Sequence, residues 1–363
     1  MQRPIFSQGE NVMKRSFWAM LLLLAALVAV PVAAFADGVP AYNFATPVFG
    51  LAAAPDGSLL VADSGAGIVE LRNGKASLVM ELPGVADIAP IGRGVMFAVT
   101  GGGDSDTAGR LFRVARGNKR EIANLMAFEA NVNPDGGEID SNPFDVALLK
   151  GGKALVADAG GNDLLLVDHK GNVDWVANFP SELVSTQHAK NLVGCPTQNP
   201  ELAFVCDLPE MLPAQAVITS VAVGPDGAYY VGELKGFPGE PGTSRIWRVE
   251  AGTLHAQCET SPACSVVADG FTSIVDIAFG KKGVLYVVEF DEAGFLAVEL
   301  AQFGMPGLTQ GGTVNACNLS AGSCTPVAEG LTMPIAVALD RKGKLYAAVA
   351  ALIPGAAQVI TLP

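Results

Sequence analysis

One pattern recurs six times along the 363-residue chain. A short apolar stretch runs into a tight turn that ends in glycine, and a second apolar stretch then closes on a polar residue or fades into the next connection. The copies read GLAAAPDGSLLVAD, DIAPIGRGVMFAVT, DVALLKGGKALVAD, SVAVGPDGAYYVGE, DIAFGKKGVLYVVE and AVALDRKGKLYAAV. Aligned on the turn glycines Gly57, Gly94, Gly152, Gly227, Gly283 and Gly343, their apolar positions coincide without a gap. Hairpins formed for separate local reasons would have no cause to share one register. Several copies are followed by a second hairpin, such as IVELRNGKASLVM or LLLVDHKGNVDWVA, whose NG and KGN turns suit two antiparallel strands. The unit is therefore four antiparallel strands in roughly 40 to 60 residues, too small to bury both faces by itself. Stacking such units around an axis solves that problem, so the expected fold is all-β, a six-bladed β-propeller. The 42 glycines and 23 prolines spread along the chain agree with many short elements joined by turns. The last copy runs out at AAQVITLP, one strand short. Residues 42–45 are expected to supply that outer strand beside residues 358–362, closing the ring and leaving no open edge.

The start of the chain has a different character. Lys14 and Arg15 precede an apolar run from Phe17 to Val30, and Ala34-Phe35-Ala36 forms a small-residue cleavage site, so residues 1–36 read as an export signal with its true start at Met13. The apolar run approaches the length of a membrane anchor, but Pro31 and the cleavage site favour removal. The propeller would then occupy residues 37–363. Removing a segment with two net positive charges lowers the formal charge from −13 to −15. A chain this acidic should avoid nucleic acid and anionic membranes. An exported chain with six cysteines is expected to hold disulfides, and their close spacing pairs Cys195 with Cys206, Cys258 with Cys264, and Cys317 with Cys324. In CSVVADGF and CTPVAEGL the second cysteine stands in matching register, seven residues before Phe271 and Leu331. These two bridges should clip hairpin tips, while the third folds the long connection 181–214.

With the strands of a blade lettered A to D from the axis outward, all A–B turns are tight. Long insertions fall after strand B (residues 100–109, 234–244 and 290–312) or after strand D (127–141 and 181–214). Both junction types lie on one face of an up-and-down blade, and such scaffold-held loops are where binding and catalysis concentrate. A small molecule or a protein is expected to bind there. Carboxylates are placed near the same face. Asp63, Asp158, Glu233 and Glu289 stand six residues after the turn glycine, and Asp87, Asp145 and Asp276 stand seven before it. Both sets should ring the channel mouth, where hard oxygen ligands would suit calcium. The competing reading is that an Asp before a turn such as DSGAG or DAGGN accepts local backbone N–H bonds. DSDTAG, residues 104–109, imitates the opening of a calcium loop but has Ala115 where the closing Glu belongs. His169, His188 and His255 form no constellation in the sequence, and Trp175 and Trp247 read as blade packing.

The stretches NPDGGEIDSNPFDVA, LVADAGGNDLLLVD, SVAVGPDGAYYVGELKGFPGEPG and RIWRVE resemble the ScyD/ScyE-type family, exported bacterial NHL-like propeller proteins, some of them encoded with scytonemin biosynthesis. The resemblance spans nearly the whole mature chain and is most specific over residues 220–242; the cysteine clips depart from its core pattern. It implies six blades and export, and carries no catalytic residues. With no catalytic constellation in view, the expected function is a non-enzymatic binding or scaffold protein outside the cytoplasm. The alternative is a metal-dependent hydrolase or lactonase of the gluconolactonase-like kind, with Asn142, Asn162 and the carboxylate ring around an open-sided cation.

Overall fold

The structure, a computed structural model, describes residues 42–363, so the expected export signal lies outside the described residues. Among the described residues six blade sheets follow one another along the chain, with a two-stranded sheet of Glu182–Ser185 and Met211–Ala214 in the connection between blades 3 and 4. In blade 1 the strands are Val48–Ala53, Leu59–Asp63, Gly67–Arg72 and Lys75–Glu81, paired antiparallel in chain order. Blades 2, 4 and 5 repeat this order of four, and blade 3 does so with one addition. The six strand A segments, which carry the aligned turn glycines at their ends, face the axis.

Burial explains why strand B reads as an unbroken apolar run. All five residues of Leu59–Asp63 and of Tyr229–Glu233 are buried, because both faces of each blade are covered by a neighbour. Successive side chains point to opposite faces. Met96 and Ala98 join Leu60, Ala62 and Ile68 between blades 1 and 2, whereas Phe97 and Val99 join Val146 and Val156 between blades 2 and 3. Leu155 and Ala157 then meet Ile218, Val231 and Trp247 in the next interface. Strand D is the outer strand and needs no such cover, so Lys75–Glu81 is largely exposed.

The cysteines pair as expected, 195 with 206, 258 with 264 and 317 with 324. Three disulfides mark a protein of an oxidising, extracytoplasmic compartment. No helix among the described residues is long and apolar enough to cross a membrane. Cys317 and Cys324 sit directly opposite each other on strands C and D of blade 5. Just before the Cys258 bridge, Ala256–Gln257 of the same C–D connection pairs in parallel with the outer strand of blade 3 and covers part of that open edge.

Ring closure differs from the sequence expectation. Among the described residues, blade 6 has three strands, Ala336–Leu339, Leu345–Val349 and Gln358–Thr361, and residues 42–45 do not form a strand beside the last. N-terminal residues close the ring in another way. The Val48 N–H donates to the Ala351 carbonyl at 2.9 Å, and the Ala45 N–H is caught by the Asp63 carboxylate at 2.6 Å. The segment is held along the blade 1 side by Asp63, where a buried acceptor outweighs a register match at the rim.

Candidate functional site

Asp87, Asp145 and Asp276 occupy the same place in strand A of blades 2, 3 and 5. In each case a one-residue irregularity in the A–B pairing lies just before or beside the aspartate. Such a bulge re-aims the side chain that follows. Strand A is the inner edge of its sheet, so its outward N–H groups need partners. Each aspartate supplies one to the following blade: Asp87 Oδ2 accepts from the Val146 N–H at 3.2 Å, Asp145 Oδ2 from Val221 at 2.6 Å, and Asp276 Oδ2 from Val337 at 2.7 Å. The remaining ring positions are Gly50, Ser220 and Ala336. Gly50 was not singled out in the sequence, although the shared register marks it. A Cβ there would stand 2.3 Å from Asp87 Oδ1, so glycine makes room for the carboxylate.

The three aspartates line an axial cavity of about 230 Å³ together with Leu51, Val146, Leu148 and Val337. They are half-buried, open to the channel and closed in by protein elsewhere. Burial pushes Asp87 well above the usual carboxylate range, and the neighbouring charges of Asp145 and Asp276 push the same way. Burial and Asp145 raise Asp276 likewise. Asp145 is also raised by burial, but hydrogen bonds from Asp87 and from the Val221 N–H favour its charged form. Asp145 is therefore the member that hydrogen bonds hold toward its charged form, beside Asp87 and Asp276, which are pushed toward protonation, and backbone donors relieve part of the repulsion within the ring. Each carboxylate has one oxygen tied to a backbone N–H, and among the described residues no group of three or more acidic, imidazole or thiol side chains is arranged to hold a metal ion.

The strand B set does not reach this cavity. Asp63 accepts from the backbone of Ala45, Gly65 and Ala66, and Asp158 from Ser141 Oγ and the Asn142, Gly160 and Gly161 N–H groups. Glu289 accepts from the Thr272 N–H at 2.5 Å and Asn315 Nδ2 at 2.6 Å. Glu233 is fully buried against Lys235 at 2.8 Å, Arg245 at 2.9 Å and the Trp247 indole at 3.0 Å. Glu182 of the long connection completes that network through Lys235 and Arg245. Asp63, Asp158 and Glu289 thus tie the end of strand B to the segment leading into the same blade's strand A. The local-turn reading describes them better than a ligand ring does. Asn142 and Asn162 are also spent on connections, accepting from the Gly102 and Val217 N–H groups. His188 Nε2 meets the Ala293 carbonyl and His255 meets Asp174, and neither lines the cavity.

No family model matches the chain, and no curated protein matches it. Solved structures do. A gluconolactonase from Xanthomonas campestris is similar at 13% identity and a TM-score of 0.55, over 89% of each chain. The PQQ-bound aldose sugar dehydrogenase of Streptomyces coelicolor is similar at 14% identity and a TM-score of 0.55, over 90% of this chain and 96% of the other. The calcium-binding protein regucalcin from Agrobacterium tumefaciens is similar at 11% identity and a TM-score of 0.55, over 90% and 93%. At these identities the likeness is one of fold, that of six-bladed propellers. It corrects one expectation: two of these neighbours are a gluconolactonase and a sugar dehydrogenase, which accord better with the hydrolase alternative than with a non-enzymatic scaffold.

Proposed function

We propose that this propeller is a hydrolase of small lactones or related esters, acting in the axial cavity. The observation that carries the reading is the convergence of three carboxyls in one cavity with unlike partners: hydrogen bonds from Asp87 and the Val221 N–H favour the charged form of Asp145, while burial and like charge push Asp87 and Asp276 toward protonation. Carboxyl groups driven apart in protonation supply a base and an acid at one pH. In this scheme Asp145 takes a proton from a water whose oxygen attacks the lactone carbonyl carbon. The Asp87 and Asp276 hydroxyls donate hydrogen bonds to the oxyanion. Collapse breaks the ring C–O bond, and the leaving oxygen takes a proton from an aspartic acid, giving a hydroxy acid. The cavity lies below the roughly 300 Å³ at which drug-sized pockets begin, which suits a small polar substrate. The gluconolactonase-like neighbour supports the same class. The dehydrogenase reading is weaker because no histidine faces the cavity.

Export from the cytoplasm, membership of the ScyD/ScyE-type NHL-like group and approach of substrate from the face with the long insertions belong to the same proposal. The test is a pH-stat assay on small sugar and aliphatic lactones in the presence of chelator. Wild type should hydrolyse one of them, and Asp145→Asn and Asp87→Asn should each lower kcat by roughly 10²- to 10⁴-fold. Equal rates in all three proteins, or no turnover by wild type, would sink the reading.

A further inference from the structure

Between blades 2 and 3 lies a pair of carboxylates that the axial chemistry does not use. Glu129 belongs to the helix Leu125–Val132, and Asp163 opens strand C of blade 3, Asp163–Val167. They are 2% and 1% exposed. Glu129 Oε1 and both oxygens of Asp163 have no hydrogen-bond partner, and neither has Oδ1 of Asn133, which caps the helix C-terminus. A Cβ on Gly161 would stand 3.4 Å from Asp163 Oδ1 and from Glu129 Oε2, so both carboxylates border the same bare glycine. Asp63, Asp158, Glu233 and Glu289, also buried, all have donors. Three oxygens of this pair are left without them amid further negative charge. Burial, with Asp158 and Glu129, drives Asp163 well above the usual range, and burial with Asp158 and Asp135 pushes Glu129 up to about 7.

We propose that Glu129 and Asp163 hold a hard divalent cation of the calcium class, which pins the helix and the loop 133–142 to blade 3. The free groups are all oxygens, which excludes soft-metal chemistry. Both oxygens of Asp163 are available for bidentate binding, Glu129 offers a third and the Asn133 amide lies in the same loop. Calcium accepts such mixed sets and fills its remaining positions with carbonyls and water. Two carboxylates neutralise a doubly charged ion. Around the pair the loop is already tied down, through Asn162 Nδ2 to Asp135 at 3.1 Å, Asn178 Nδ2 to the Pro134 carbonyl at 2.8 Å and Asn133 Nδ2 to the Gly137 carbonyl at 3.0 Å. The same loop leads straight into the strand that carries Asp145. None of the proposed ligands lines the axial cavity, so this site is separate from the catalytic reading.

The test uses the mature chain, stripped with chelator and then titrated with calcium chloride by calorimetry, with thermal melting in calcium and in chelator. One equivalent should bind and raise the melting midpoint by several degrees. Glu129→Gln and Asp163→Asn should each weaken binding at least tenfold, while Asp145→Asn keeps it. If Asp163→Asn fails to fold, Glu129→Gln decides alone. An unchanged wild-type midpoint would overturn the proposal, as would a rise in Asp163→Asn that is equal with and without calcium, the mark of a protonated pair. Undiminished binding in both variants would overturn it too. None of these readouts depends on lactone turnover.

Discussion

A buried carboxylate must be neutralised, and this chain does it in three ways that neighbouring residues decide. Glu233 has cations, Asp63 and Asp158 have clusters of backbone N–H groups, and Asp87 and Asp276 are pushed toward protonation. Glu289 stands between the last two classes. It accepts from Thr272 and Asn315, yet burial pushes it from 4.5 up to about 7. Between those values the folded protein holds a proton that the unfolded chain has released. The stability Glu289 contributes is thus complete below pH 4.5 and lost as the pH rises through 7. Wild type should therefore unfold more readily at pH 8 than at pH 5, as far as this group is concerned. Glu289→Gln is uncharged throughout and should remove on the order of 3 kcal/mol of that pH dependence in denaturant titrations. Identical slopes for the two proteins would show that Glu289 does not titrate in this range.

At the scale of single elements, the sequence disclosed what repeats and concealed what does not. The turn glycines and the alternation along strands A and B were legible because each blade must bury the same faces. The Cys317–Cys324 clip was legible for the same reason, since CTPVAEGL matches CSVVADGF in register. The pairing of Ala256–Gln257 with blade 3 was not, because two residues beside a clipped loop carry no pattern of their own. The partners of Asp63, Asp158, Glu233 and Glu289 were hidden too: an acid at the end of a strand looks the same whether it will meet a metal, a backbone amide or Lys235. Of the axial site the sequence revealed the three aspartates and their common place, but not which would be held toward its charged form, since that depends on Val221 and Asp87 across blade boundaries. The disulfide gives a test at this scale. Cys317 and Cys324 close a loop of separation 7, for which chain entropy allows only ~2 kcal/mol. Replacing both by serine should lower stability by about that amount and leave the fold intact by circular dichroism. A double variant that cannot fold would show that the clip organises blade 5 and is not a local staple.

A ring of blades has one seam, where its first and last blades meet, and the stability of the whole molecule depends on how that seam is held. In this chain Asp63 holds it from inside. Its carboxylate is fully buried and accepts from Ala45 on the incoming segment and from Gly65 and Ala66 on its own turn. The Val48 N–H then reaches the Ala351 carbonyl of blade 6. Removing the carboxylate strands backbone donors that solvent reaches poorly, and each such group left unmade costs about 1–3 kcal/mol. Asp63→Ala should therefore lose roughly 2 kcal/mol or more, and the loss should not spread evenly. Blades 2 to 5 have both faces covered by neighbours whatever happens at the seam, whereas blades 1 and 6 cover each other only while the segment from Ala45 to Val48 stays in place. Local opening reports such differences. Hydrogen exchange on Asp63→Ala should show protection falling first in Val48–Ala53 and Leu345–Val349, with Lys153–Asp158 in blade 3 close to wild type. Uniform loss across all six blades would mean that the ring opens as one unit and that Asp63 guards no particular seam.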